Sequence, residues 1–274
     1  MSVQNITATE RLIAYDRVIS ITGLSVLTLA SWGWILAGAG TGMNMFSMST
    51  FQFPPSGIDT MTMAWSPGYG VLMLIMWFVM MIAMMIPSAA PMILLYGRVA
   101  RRAQRRGQME HGALPTSVFV LGYLFAWAGF SALATGAQWS LERSGLMDQM
   151  LMWSTSSTLT SLLLIAAGAY QLTPLKRACL EHCRSPAEYL SKNWHAGRLG
   201  AFKMGLNHGA YCLGCCWMLM ALLFAGGVMN LVWVVGLVII VLIEKTVPWG
   251  ARLSQSLAAP LIAGGIWVLL QGTT

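Results

Sequence analysis

The stretch HGAYCLGCCWMLM, residues 208–220, sets one histidine, three cysteines and two methionines into an otherwise apolar segment. On a helix advancing about 100° per residue, Cys212, Cys215 and Cys216 fall at roughly 40°, −20° and 80° from His208. The four side chains then share one face, and Gly205, Gly209 and Gly214 leave room for other backbone or a metal to approach. A second group, CLEHC, carries Cys179, His182 and Cys183 at i, i+3 and i+4, so a short helix would align these too. Every cysteine of the chain lies within residues 179–216.

Thiolate and imidazole together suit Cu⁺ or Zn²⁺, whereas Mg²⁺ and Ca²⁺ require oxygen ligands. The chain's 21 methionines favour copper, because thioethers ligate Cu⁺ far better than Zn²⁺. Met43, Met45 and Met48, with Met61 and Met63, are spaced to capture Cu⁺ on the side where free thiols would oxidise. Methionine is also a flexible filler of apolar cores, so the stripe Met76, Met80 and Met84 reads first as packing and second as a pathway. Glu244 is the one acid in the body of an apolar segment. It has three readings: metal ligand, acceptor for the His208 ring, or partner of an arginine. Lys245 beside it is expected to snorkel to the interface.

The elements that must position these residues are membrane helices. Of the 274 residues, 57% are hydrophobic and 9% charged, far fewer charges than a soluble domain carries. Runs long enough to cross about 30 Å of hydrocarbon occur near 18–40, 68–96, 116–139, 156–173, 205–226 and 228–247, with a shorter seventh at 255–271. The expected fold is an all-α, polytopic transmembrane bundle of about seven spans. Residues 1–17 form a tail, 18–274 a single membrane domain, 41–66 an outer loop rich in methionine, and 174–204 a polar loop bearing CLEHC. In the third run, Gly122, Gly129 and Gly136 predict a small-residue edge where another helix packs closely.

Of the 16 basic residues, only Arg143 falls outside alternate gaps between the runs. The positive-inside rule then gives an inward N-terminus, an outward C-terminus and a cytoplasmic location for both ligand groups. In that reducing compartment thiols serve metals more readily than disulfides. The net charge of +7 is read as anchoring beside anionic lipid rather than nucleic-acid binding. There is no phosphate loop, nucleophile elbow, HExxH or dinucleotide fingerprint. An enzymatic role is left as a copper-dependent oxidoreductase in which Glu244 moves protons, or a thiol–disulfide enzyme using Cys212 and Cys215 as C-x-x-C.

The segments YQLTPLKRACLEHCRSP, HGAYCLGCCWMLMALLFAGGVMNLVWV, IEKTVPWG and MMIAMMIPSAAPMILLY resemble a bacterial family of predicted metal-binding integral membrane proteins, over roughly residues 65–250. The resemblance implies a multi-helix membrane fold and a metal site at Cys179, His182, Cys183, His208, Cys212, Cys215 and Cys216. Residues and resemblance together predict a protein of the bacterial cytoplasmic membrane that handles a soft metal, copper before zinc, by delivery, transport or sensing. Its expected partners are lipid, the metal ion, and a metal chaperone or another membrane protein.

Overall fold

The computed structural model describes residues 8–41, 49, 65–106, 115–149 and 152–272; Met43, Met45, Met48, Met61 and Met63 lie outside them. Among the described residues the chain is helical, without a strand. The long helices are α1 (Ala8–Leu36), α2 (Pro67–Arg105) and α3 (Pro115–Arg143), then α4 (Ser157–Gln171), α5 (Pro174–Arg184), the short α6 (Pro186–Lys192) and α7 (Gly197–Ala221). The one-turn α8 (Leu223–Gly226), α9 (Leu231–Thr246), α10 (Gly250–Ser256) and α11 (Ala258–Gly272) follow.

Each of the seven apolar runs coincides with helix. Five helical stretches are long and apolar enough to cross a membrane, or six if the bent pair α4–α5 counts as one span. The run at 228–247 is not among them, because it folds as α9, which has 16 residues and reaches only about 24 Å; the shorter run expected at 255–271 lies within a counted stretch, Gly250–Gly272. α1 begins within the 1–17 tail, and the 174–204 connection holds α5, the short helix expected over CLEHC, with α6 and the start of α7. Polar composition marks where a segment lies, not whether its backbone is helical.

Local signals set the helix ends that matter for the site. The Ser66 hydroxyl accepts from the Tyr69 amide at 3.1 Å and Pro67 opens α2, a combination of N-cap and N1 proline that starts a helix cleanly. Between α4 and α5 the Thr173 hydroxyl accepts from the Lys176 amide at 3.2 Å, and Pro174 has no N–H to continue the preceding helix. The axis turns by 65° there, which lays α5 against α7.

The most extensive contact in the bundle is α3 on α7. A Cβ on Gly205 would stand 2.0 Å from the Phe119 carbonyl oxygen, and one on Gly122 would stand 2.2 Å from that of Phe202. Close backbone approach through small residues is how membrane helices gain dispersion contacts when lipid supplies no hydrophobic drive. Gly129 and Gly136, expected to extend this edge, face open space.

At the end where the basic residues gather, α5 is tied to α9 by a buried ion pair. The Lys176 ammonium lies 3.0 Å from a carboxylate oxygen of Glu244, with both side chains 1% exposed, and it donates to both carboxylate oxygens. It also donates to Gln171 Oε1, which accepts from the Ser254 hydroxyl as well.

Gly205→Leu is expected to cost about 2 kcal/mol or more by forcing α3 from α7, while Gly129→Ala stays close to neutral; tryptophan-fluorescence melts in detergent distinguish them. Removing one member of the ion pair with Glu244→Gln strands the Lys176 ammonium and is expected to cost about 3–5 kcal/mol. The double variant Lys176→Met with Glu244→Leu should recover most of that loss in the same melts, because no charge is left unpaired.

Candidate metal centre

α7 presents the ligand stripe as its spacing requires. His208, Cys212, Cys215 and Cys216 are all buried, and all five cysteines of the chain are free thiols. Because α5 crosses α7, the Cys183 sulfur comes to 4.0 Å from that of Cys215 and also lies against Cys212. The two ligand groups, separate in sequence, therefore meet.

α2 and α9 close the other sides. The Cys216 sulfur is 4.0 Å from the Met85 thioether. Cys212 Sγ receives the Lys245 ammonium at 2.9 Å and lies 3.2 Å from the Tyr123 hydroxyl. Lys245 donates also to Ser88 at 3.3 Å. Instead of snorkelling to the interface, this lysine turns inward and is 8% exposed. Cys215 and Cys216 each donate to the Cys212 carbonyl, at 3.0 and 2.9 Å, as side chains one helical turn on can do.

His208 stands one turn nearer the basic end, 2% exposed, with its Nδ1 lacking a hydrogen-bond partner. Its ring lies among Tyr123, Phe119 and Tyr189, with centroids 5.9, 6.2 and 5.7 Å away. Burial pushes the Tyr189 phenol up to about 12, so it stays protonated and donates to the Met204 carbonyl at 2.9 Å. An orphaned imidazole nitrogen in an apolar box is costly unless something ligates it.

Two members of CLEHC sit apart from the sulfur cluster's middle. Cys179 packs on Gly214, where a Cβ would be only 2.7 Å from its sulfur. His182 stacks flat on Tyr211, centroids 4.2 Å apart, and lines a cavity of about 140 Å³ with Glu181, Glu188 and Lys192. Its Nδ1 bonds to the Ala178 carbonyl at 2.9 Å, which fixes the proton on Nδ1 and leaves Nε2 with the free lone pair. Glu244 meets neither His208 nor an arginine, since both of its oxygens take the Lys176 ammonium.

Lys245, Tyr123, Ser88 and Met85 were not singled out as partners of the cysteines in the sequence. Only Met85 carried a signal, as one member of the methionine-rich run in α2. Among the described residues no three His, Cys, Asp or Glu side chains already converge as a ready-made metal site. The sulfurs pair across helices at 4.0 Å, Cys183 with Cys215 and Cys216 with Met85.

No curated protein and no solved structure matches the chain. The model of the PpoB2 family, described as copper chaperone, matches residues 74–268. That stretch runs from the methionine-rich part of α2 through the cysteine cluster, α9 and most of α11, and copper is the metal its description names. Covering most of the sequence, the match establishes that the chain belongs to the PpoB2 copper-chaperone family.

Proposed function

We propose that this protein resides in the bacterial cytoplasmic membrane, holds Cu⁺ as cargo in the cysteine cluster near its cytoplasmic face, and delivers it to an acceptor. The approach of Cys183 on α5 to Cys215 on α7, sulfurs 4.0 Å apart, carries this reading. Two metal–sulfur bonds of about 2.3 Å span up to about 4.6 Å, so one ion fits between the pair with little movement. Cys212, Cys216 and Met85 supply further soft donors, and the orphaned nitrogen of His208 supplies an imidazole one turn away. Cys179 and His182, at the edge of the cluster, suit a hand-over position through which the ion leaves toward the aqueous side.

Charge supports a monovalent ion. Cu⁺ between two thiolates is a singly negative unit, expensive to hold in a low-dielectric interior without a cation beside it. Lys245 stands there, and with Glu244 engaged by Lys176 its ammonium is available to offset the complex. The orientation, with this end inward, rests on the gathering of Lys and Arg around it.

Full-length protein purified anaerobically in detergent and loaded with Cu⁺ is expected to retain about one copper or more per chain by mass spectrometry. Cys212→Ser and Cys215→Ser should each lower the bound copper roughly tenfold; wild-type loading of both would contradict the reading. Lys245→Met should weaken copper retention against a colorimetric Cu⁺ chelator roughly tenfold, with Lys245→Arg recovering most of it. Equal retention in Lys245→Met would remove the charge-offsetting role.

A further inference from the structure

Six methionines of α2, Met73, Met76, Met80, Met81, Met84 and Met85, are each 0% exposed. Their run of thirteen residues covers about 18 Å along the helix, more than half of a bilayer's hydrocarbon thickness. α7 runs the opposite way and carries Cys212, Cys216 and Met220 at i, i+4 and i+8, all buried. The contact between Cys216 and Met85 fixes the register of the two helices. One turn farther from the basic end, Met220 on α7 and Met81 on α2 are therefore level.

The far end of the column is polar. Gln138 Nε2 lies 3.4 Å from the Met73 sulfur and 2.7 Å from a Glu142 oxygen. The other Glu142 oxygen accepts from the Trp65 indole at 2.7 Å. Glu142 is 6% exposed and forms no ion pair among the described residues. Gln138 thus links a buried carboxylate to the last thioether at the end opposite the thiols.

Packing alone does not ask for this composition. Leucine fills an apolar core with less loss of side-chain entropy than methionine and in better-defined rotamers. Thioethers add the ability to ligate Cu⁺, and they do so weakly enough, at several successive positions, for an ion to enter and move on.

We propose that the buried methionines of α2, together with Met220 of α7, form a conduit along which Cu⁺ passes from the Glu142 end to the thiol cluster. This rests on the reading of that cluster as a copper site. Each step is a ligand exchange: one copper–sulfur bond forms ahead as one breaks behind, with no electron or proton transferred. Glu142 offsets the positive charge at entry, neutral thioethers carry the ion onward, and thiolates bind it most tightly at the end. The gradient gives passage its direction.

The test uses full-length protein in sealed vesicles, an impermeant Cu⁺ chelator inside, and Cu⁺ kept reduced with ascorbate outside. Met81→Leu with Met220→Leu, and separately Met76→Leu with Met80→Leu, are nearly volume-conserving changes. Each pair is expected to slow the chelator's colour change at least roughly tenfold while copper bound in detergent stays at the wild-type level. Met92→Leu, on α2 beyond the column, should leave the rate unchanged. Wild-type rates in both double variants would overturn the conduit. So would a wild-type protein that binds copper in detergent yet moves none above protein-free vesicles, and this would leave the copper site standing. Absence of copper binding in detergent would instead overturn the site, and the conduit with it.

Discussion

Matching of buried charge is the constraint on which the arrangement depends. Two lysines, Lys176 and Lys245, and one carboxylate, Glu244, lie buried at the basic end. An unpaired ion in such a medium costs several kcal/mol, so each ammonium must find a partner. Glu244 goes wholly to Lys176. Lys245, next in sequence, points about 100° away around α9 and finds the Cys212 sulfur and the Ser88 hydroxyl. A two-residue Glu-Lys step thereby braces α5 on one side and α7 with α2 on the other. With α5 held, Cys183 is brought to Cys215.

The same frame organises the ligands by softness. α7 enters at the basic end with His208, continues through three thiols and reaches the thioether of Met220. α2 buries six thioethers from Met73 to Met85 and meets it through Met85 and Cys216. Close packing of α3 through Gly122 and Gly205 brings the Tyr123 hydroxyl to Cys212 and surrounds His208 with aromatic rings. The chain belongs to a copper-chaperone family, and copper is the cargo proposed for this sulfur-rich interior.

Much of the candidate site's geometry was legible in the sequence because helical periodicity is local. His208, Cys212, Cys215 and Cys216 were expected on one face and are all buried, and CLEHC was expected to be a short helix and is one. What periodicity cannot encode is the 65° turn at Pro174, which decides that Cys183 reaches the cluster while His182 stacks on Tyr211. Lys245 escaped for a related reason: a lysine near a helix end looks the same in sequence whether it snorkels outward or is drawn in by a thiol. The glycine edge of α3 was half legible, since Gly122 meets α7 but the helices have diverged by Gly129 and Gly136. Glu244 was correctly marked as needing a partner, but its partner sits 68 residues away, where no local pattern reaches.

The central claim is that sulfur atoms from α5 and α7 hold copper together. X-ray absorption at the copper edge of the Cu⁺-loaded, full-length protein tests it most directly. The account predicts the edge position of Cu⁺ and a first coordination shell dominated by sulfur, which loses sulfur when Cys183 or Cys215 is changed to serine. A first shell of nitrogen and oxygen alone, or a sulfur shell indifferent to both substitutions, would contradict it.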